Sequence, residues 1–141
     1  MQVKLERKNN DYLFHGIGNT GVSIPIDNSS DGTPQGASPM ELILMGVGAC
    51  SAIDVVSILK KQRQQVDSYS MEVNGTRHEV EGAKPFKAIE VVIQLRGEID
   101  PKKALRAADL SFTKYCSVSL TLEPQVPVSY RVELNGSPIG E

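Results

Sequence analysis

Two cysteines, Cys50 and Cys116, are the residues of this chain best suited to covalent chemistry. A thiolate is a strong nucleophile, and two thiols brought together exchange electrons through a disulfide. Free cysteine is equally at home as a small buried hydrophobe, so either thiol alone is compatible with inert packing. The two stand far apart along the chain, and only the fold can join them. Around the first stand Ser51 beside it, Asp54 one helical turn on, Glu41 upstream, and the apolar Met40 before that. An unpaired carboxylate at Asp54 would raise the thiol pKa, and a buried one needs a partner, whether lysine, arginine or hydroxyl. His15 and His78 are too isolated to propose as ligands. Two cysteines are too few for a four-cysteine zinc site or a disulfide scaffold, so neither metal nor cofactor is expected.

The stretch from Ser38 to Val66 must position Cys50. Ser38 is a good N-cap, Pro39 fits the first helical position, and Glu41 completes an S-x-x-E capping box. Leu42 to Ile53 has almost no polar face, which predicts a central helix over 38–66 buried on all sides, against its own sheet and a partner subunit. Gly46 and Gly48 each cost roughly 1 kcal/mol against alanine inside a helix. Glycines there permit close backbone approach or a bend. A bend would bring Cys50 near a fresh helix N-terminus, where a thiolate is stabilised.

Around this helix the pattern is mixed. Residues 1–37 read as a small β layer with strands at Val3–Leu5, Tyr12–His15 and Val22–Ile26. Gly16 to Gly21 formally matches G-x-G-x-x-G, but a strand pattern with Pro25 comes next instead of a helix, which favours a glycine-rich hairpin over a nucleotide loop. Asp27 to Ala37 opens like a calcium loop, yet its twelfth position is Ser38 rather than glutamate, and a surface loop fits better. Two alternating strands, Tyr69 to Val80 and Ile89 to Leu95, should pair antiparallel, with Val92 alone breaking the polar face. Asp100-Pro101 starts a second helix with Leu105, Ala108, Phe112 and Tyr115 inward, reaching about Tyr115, with Cys116 at or beyond its end. Ser117–Leu122 is ambiguous between helix and extended chain. Val126 to Leu134 is the clearest strand, Asn135-Gly136 ends it, and the tail is expected to fray.

Composition bounds the partners. The 141 residues suit a single domain. A charged fraction of 23%, a net charge of −2 and no tryptophan give nucleic-acid binding little support. Glu41, Ser51 and Asp54 interrupt the longest apolar run, and the polar first residues lack a secretory pattern. A cytoplasmic protein with reduced thiols is expected.

The stretch GASPMELILMGVGAC (36–50), then KYCSVSLTL (114–122) and a final strand, resembles the OsmC/Ohr family of bacterial thiol peroxidases. The segment CSAIDVVSILKKQRQQV looks most like its YhfA-like branch. The resemblance implies an α+β, OsmC-like two-layer fold, with antiparallel sheets wrapped around a long buried central helix, in an intertwined homodimer. It implies a cysteine-based reductase of small organic hydroperoxides in oxidative-stress defence: Cys50 attacks, Cys116 resolves, and an external dithiol or lipoyl-type reductant restores both. By the same resemblance Glu41 is a catalytic candidate, with Asp54, Ser51 and Met40 supporting.

Two departures qualify this. The family glutamate directly follows the motif's proline, where this chain has Met40; Glu41 lies one residue on. The nine residues from Glu41 to Cys50 span ~900° of a straight helix and point the two apart. The family arginine has no match between residues 8 and 37; Asn19 stands at its place, and Arg7 is the one arginine before the helix. These departures keep open a non-catalytic or weakly catalytic member that binds a small hydrophobic ligand at the dimer interface, and a redox sensor or thiol transferase.

Overall fold

The structure is a computed structural model that describes residues 1–29 and 31–140. It divides into two compact units, Met1–Ile43 and Leu44–Glu141. Ser30, inside the loop that opens like a calcium site, lies outside the described residues.

The first unit holds an antiparallel three-stranded sheet, β1 (Lys4–Arg7), β2 (Phe14–Ile17) and β3 (Ser23–Ile26), in that order. Pro25 is accommodated because β3 is an edge strand, where a missing N–H breaks no ladder. The G-x-G-x-x-G segment joins two antiparallel strands, as expected of a hairpin. Asp27 is buried, and its Oδ2 accepts the Gln35 N–H at 2.9 Å.

Helix α1 (Pro39–Lys61) starts at the capping box. Glu41 accepts the Ser38 N–H at 2.7 Å, and the Ser38 hydroxyl accepts the Glu41 N–H at 3.3 Å. The helix is shorter than the predicted 38–66. It ends where Arg63 takes a left-handed backbone (φ 57°). The Gln64 N–H bonds to the Leu59 carbonyl and the Arg63 N–H to the Lys60 carbonyl, a Schellman stop made without glycine. An arginine carries no sequence signal for such a turn, so the pattern read on past it.

α1 is also not buried on all sides by its own chain. Val47, Ser51, Val55 and Leu59 form a buried stripe, while Met45, Ile53 and Val56 face solvent. Although polar residues interrupt its apolar run, the 23-residue helix is long and apolar enough to cross a membrane by length and composition. Its inner face is instead seated on a sheet: a methyl built on Gly48 would meet Met71 Sδ at 2.9 Å and Val73 Cγ2 at 3.0 Å.

That sheet has the order β4 (Gln65–Arg77), β5 (Phe86–Glu98), β6 (Val128–Leu134) and β7 (Ser137–Ile139). β4 and β5 pair antiparallel as expected. The expectation of antiparallel sheets needs one correction: β5 and β6 are parallel, Ile89 beside Val128 through Leu95 beside Leu134. The crossover that a parallel pair requires is the helical segment between them. Tyr69, Met71 and Val73 of β4 share a face with Ile89, Val91, Ile93 and Leu95 and with Tyr130, Val132 and Leu134. On the opposite face Val92 is enclosed, between Glu72 and Arg131 in register. Among the described residues of the C-terminal tail, Ser137–Ile139 form a strand rather than the expected frayed end. Asn135 and Gly136 both take positive φ (51° and 85°), making the tight turn that folds β7 back onto β6.

α2 (Pro101–Leu110) is capped by Asp100, whose side chain accepts the Lys102 N–H at 2.8 Å. It runs into one π turn, Ser111–Tyr115, closed by the Cys116 N–H on the Ser111 carbonyl at 2.7 Å. The wider turn rotates the chain at its C-terminal end: Tyr115, expected inward, is exposed, and Cys116 is fully buried. Ser117–Leu122 resolves as a short helix, α3.

Candidate functional site

The site lies in the second unit, where one face of α1 meets the π turn and α3. Three residues of that face stand one turn apart: Gly46, Cys50 and Asp54. A methyl built on Gly46 would lie 3.8 Å from Val118 Cγ1 on α3. Asp54 Oδ2 accepts the Ser111 hydroxyl at 3.1 Å. Between these contacts Cys50 stands beside Cys116, close enough for its sulfur to perturb the second thiol. Both cysteines are free thiols, Cys50 half-buried and Cys116 buried. The fold thus brings together the two residues that sequence spacing alone could not.

Burial pushes the Cys116 thiol up from its ordinary range. The neighbouring Cys50 pushes the same way, while the Ser119 hydroxyl and backbone N–H pull it down. The Ser119 hydroxyl reaches Cys116 Sγ at 3.1 Å. Cys116 is therefore a protonated thiol at neutral pH. Of the two roles open to the glycines, a bend that starts a fresh helix is not seen: the helix is continuous from Pro39 to Lys61, and Cys50 is an interior helical residue. Gly48 serves a close approach to β4, whereas Gly46 has room for a Cβ at an ordinary contact distance from α3.

The remaining candidates separate clearly. Ser51 is buried, and its hydroxyl turns back onto the Val47 and Gly48 carbonyls, each at 3.0 Å. Its side chain braces the helix, while its carbonyl faces the Ser111 hydroxyl at 3.4 Å. Asp54 is only half-buried, and its partner is a hydroxyl rather than a cation. Met40 is half-buried at the second residue of α1. Glu41 is exposed, and its carboxylate is held below the usual range by the Ser38 N–H and hydroxyl. Arg7, the one arginine before the helix, is spent on its own turn, donating to the Asp11 and Asn10 carbonyls. No cluster of three metal-ligating side chains occurs among the described residues.

Ser111 and Ser119 were not singled out from sequence. The available signal was a polar residue on a small-residue helical stripe: Ala104, Ala107 and Ala108 are buried, and Ser111 continues their spacing. Phe112 and Tyr130 stack beside this segment with ring centroids 4.7 Å apart and fasten the π turn to β6.

Comparison with known proteins agrees with this architecture. The family model described as "OsmC-like protein" matches residues 31–131. Protein YhfA of Escherichia coli K12 is 42% identical over 123 residues, covering 86% of this chain and 89% of that protein. A hypothetical protein of Aquifex aeolicus superposes with a TM-score of 0.80 at 32% identity, over 95% of this chain and 96% of that one. An organic hydroperoxide resistance protein of Elizabethkingia anophelis shares the fold, with a TM-score of 0.72 at 14% identity over 96% and 97% of the two chains. With the two thiols on the matched segment and the α+β fold in common, the chain belongs to the OsmC-like protein family.

Proposed function

We propose that this protein is a cysteine-based reductase of organic hydroperoxides, acting in the cytoplasm in oxidative-stress defence. One observation carries the reading: two free thiols side by side, the first partly accessible and the second fully enclosed. That asymmetry suits an attacking cysteine that must meet substrate and a resolving cysteine that must not. The fold shared with an organic hydroperoxide resistance protein points the same way.

The Cys50 thiolate attacks the distal peroxide oxygen. An S–O bond forms, the O–O bond breaks, and the alkoxide leaves as alcohol after taking a proton. Cys116 then loses its proton and attacks the sulfenic sulfur. The S–S bond forms, and the hydroxyl departs with a proton as water. An external dithiol, of lipoyl type by family resemblance, returns two electrons and two protons to restore both thiols. No cofactor enters the cycle. Glu41 serves this chain as a helix cap.

A second copy of the chain completes the assembly in this reading. The first unit exposes an apolar hollow of about 340 Å³ lined by Val3, Leu5, Ile24, Ile26 and Leu42. α1 exposes Met45, Ile53 and Val56. A homodimer would remove these surfaces from water.

The test is intact mass with free-thiol counting after one equivalent of cumene hydroperoxide, beside a Cys50→Ser control. Loss of two hydrogens and of both thiols in the wild type alone is expected. Thiols that persist for many minutes would refute the peroxidase reading in favour of a non-catalytic, ligand-binding member.

A further inference from the structure

Ser111 joins the two halves of the thiol site through two different atoms. Its hydroxyl spans to α1, meeting Asp54 Oδ2 at 3.1 Å and the Ser51 carbonyl at 3.4 Å. Its carbonyl accepts the Cys116 N–H at 2.7 Å across the π turn. One residue therefore ties the helix that carries Cys50 to the main chain that carries Cys116. Ser111 and Ser51 are fully buried, so the link to the Ser51 carbonyl is shielded from competing water, while the link to Asp54 is only partly enclosed. Disulfide closure tolerates little error, since the bond requires a Cβ–Cβ separation of roughly 3.5–4.5 Å and a restricted dihedral angle. The π turn adds freedom where that tolerance is smallest, because its wider hydrogen-bonded ring can revert to α-helical register.

We propose that Ser111, held by the Asp54 carboxylate, is the positioning residue for disulfide closure: it pins the π turn and so sets the reach of Cys116 to Cys50. Its hydroxyl touches neither sulfur. It acts through the backbone N–H of Cys116 and contributes to the second chemical step, in which the S–S bond forms and the sulfenic hydroxyl leaves as water. Without it the turn relaxes, closure slows, and the waiting sulfenic acid becomes open to a second peroxide, which oxidises it to sulfinic acid and leaves as alcohol. This rests on the reading of Cys50 and Cys116 as a disulfide couple.

The experiment compares wild type with Ser111→Ala, Ser111→Thr and Asp54→Ala, all in the full chain. Sulfenic acid formation is measured with cumene hydroperoxide in a Cys116→Ser background, and closure by intact mass in the two-cysteine protein. A third arm omits peroxide: diamide drives closure, and the disulfide is equilibrated against graded dithiothreitol. Ser111→Ala is expected to slow closure relative to sulfenic acid formation by roughly ten- to a hundredfold, the scale of a misplacement of about 1 Å. It should also shift the dithiothreitol midpoint toward the reduced form and accumulate sulfinic acid under excess peroxide. Ser111→Thr, which keeps the hydroxyl, should restore closure, and Asp54→Ala should reproduce the loss should the serine variant misfold. A folded Ser111→Ala or Asp54→Ala protein with wild-type closure and an unshifted midpoint overturns the proposal. If hydroperoxide fails on the wild type while diamide still closes the bond, the peroxidase reading falls and the midpoint arm still decides the role of Ser111. If diamide also fails, both fall.

Discussion

Gly48 and Met71 approach so closely that no side-chain carbon fits between them: a Cβ on Gly48 would stand 2.9 Å from the Met71 sulfur. Val73, a stiff β-branched neighbour, would meet the same carbon at 3.0 Å. Gly48→Ala is therefore expected to lower stability by about 1–3 kcal/mol through overpacking, outweighing the gain in helix propensity. Gly46→Ala, whose new carbon would meet only Val118 at an ordinary 3.8 Å, should gain up to about 1 kcal/mol. Urea unfolding of the two variants should move the midpoint in opposite directions.

Arg63 holds the left-handed position that ends α1. A non-glycine residue there bears a strain of roughly 1–2 kcal/mol, partly offset because glycine loses more entropy on folding. Arg63→Gly should raise the thermal midpoint by a net gain of about 0.5–1 kcal/mol, with the helix ending at the same residue. A lower midpoint would show that the arginine side chain stabilises the turn.

Tyr69 buries its hydroxyl without a hydrogen-bond partner among the described residues, and burial pushes its pKa far above the ordinary phenol range. Removing an unsatisfied polar atom relieves a desolvation cost of about 1–3 kcal/mol, so Tyr69→Phe should be neutral or stabilising. The alkaline limb of the stability profile reports the same burial. Cys116 and Tyr69 both have folded pKa values raised above their unfolded ones. Each therefore contributes stability that is complete below the unfolded pKa and is lost as pH rises through the folded one. Unfolding free energy should fall above about pH 8.5, the ordinary thiol value, and Tyr69→Phe should flatten the upper part of that fall.

The same raised thiol sets the pH dependence of closure. Because Cys116 is protonated at neutral pH, disulfide formation from preformed Cys50 sulfenic acid should accelerate about tenfold per pH unit through the ordinary thiol range and continue rising beyond it. Stopped-flow measurement between pH 7 and 10 would reveal this slope. A plateau below pH 8 would place a different group in control.

At the acid end the helix cap is the reporter. The Glu41 carboxylate is held low by the Ser38 N–H and hydroxyl, so its contribution is present above the unfolded carboxylate pKa and is lost as pH falls through the folded one. Glu41→Gln should lower the thermal midpoint at neutral pH, and the gap should close once both proteins are in acid. A gap that persists unchanged would mean the charge on Glu41 does not support the cap.

Much of this site was legible in the sequence because its signals are local. The capping box at Ser38 marked the start of α1, and of the two roles open to the glycines, close approach holds at Gly48. The alternation of β4 and β5, broken only at Val92, marked the apolar face of that antiparallel pair, and the strict alternation up to Leu134 marked the last long strand. The features that stayed hidden depended on partners distant in sequence or on turns without a residue signature. The Arg63 turn uses a residue no rule assigns to it. The π turn at Ser111 differs from an ordinary helix by a single residue of slack, and that slack moved Tyr115 outward and Cys116 inward. The parallel pairing of β5 with β6 leaves no mark on either strand, because alternation is the same in both orientations.

That parallel pairing also dictates an order of assembly. The β6–β7 hairpin joins neighbours through a two-residue turn, and β4–β5 joins through a short one. The β5–β6 ladder, by contrast, sets Leu95 beside Leu134 and must close the whole segment that carries α2, the π turn and α3. Long-range closure is the slow event in folding, since the entropy of the loop is lost before the contacts form. Cys116 lies on the segment that this ladder closes, so it is expected to settle beside Cys50 as the ladder forms. During refolding the two thiols are therefore expected to meet after the hairpins form, and pulse alkylation should find both still reactive at that stage.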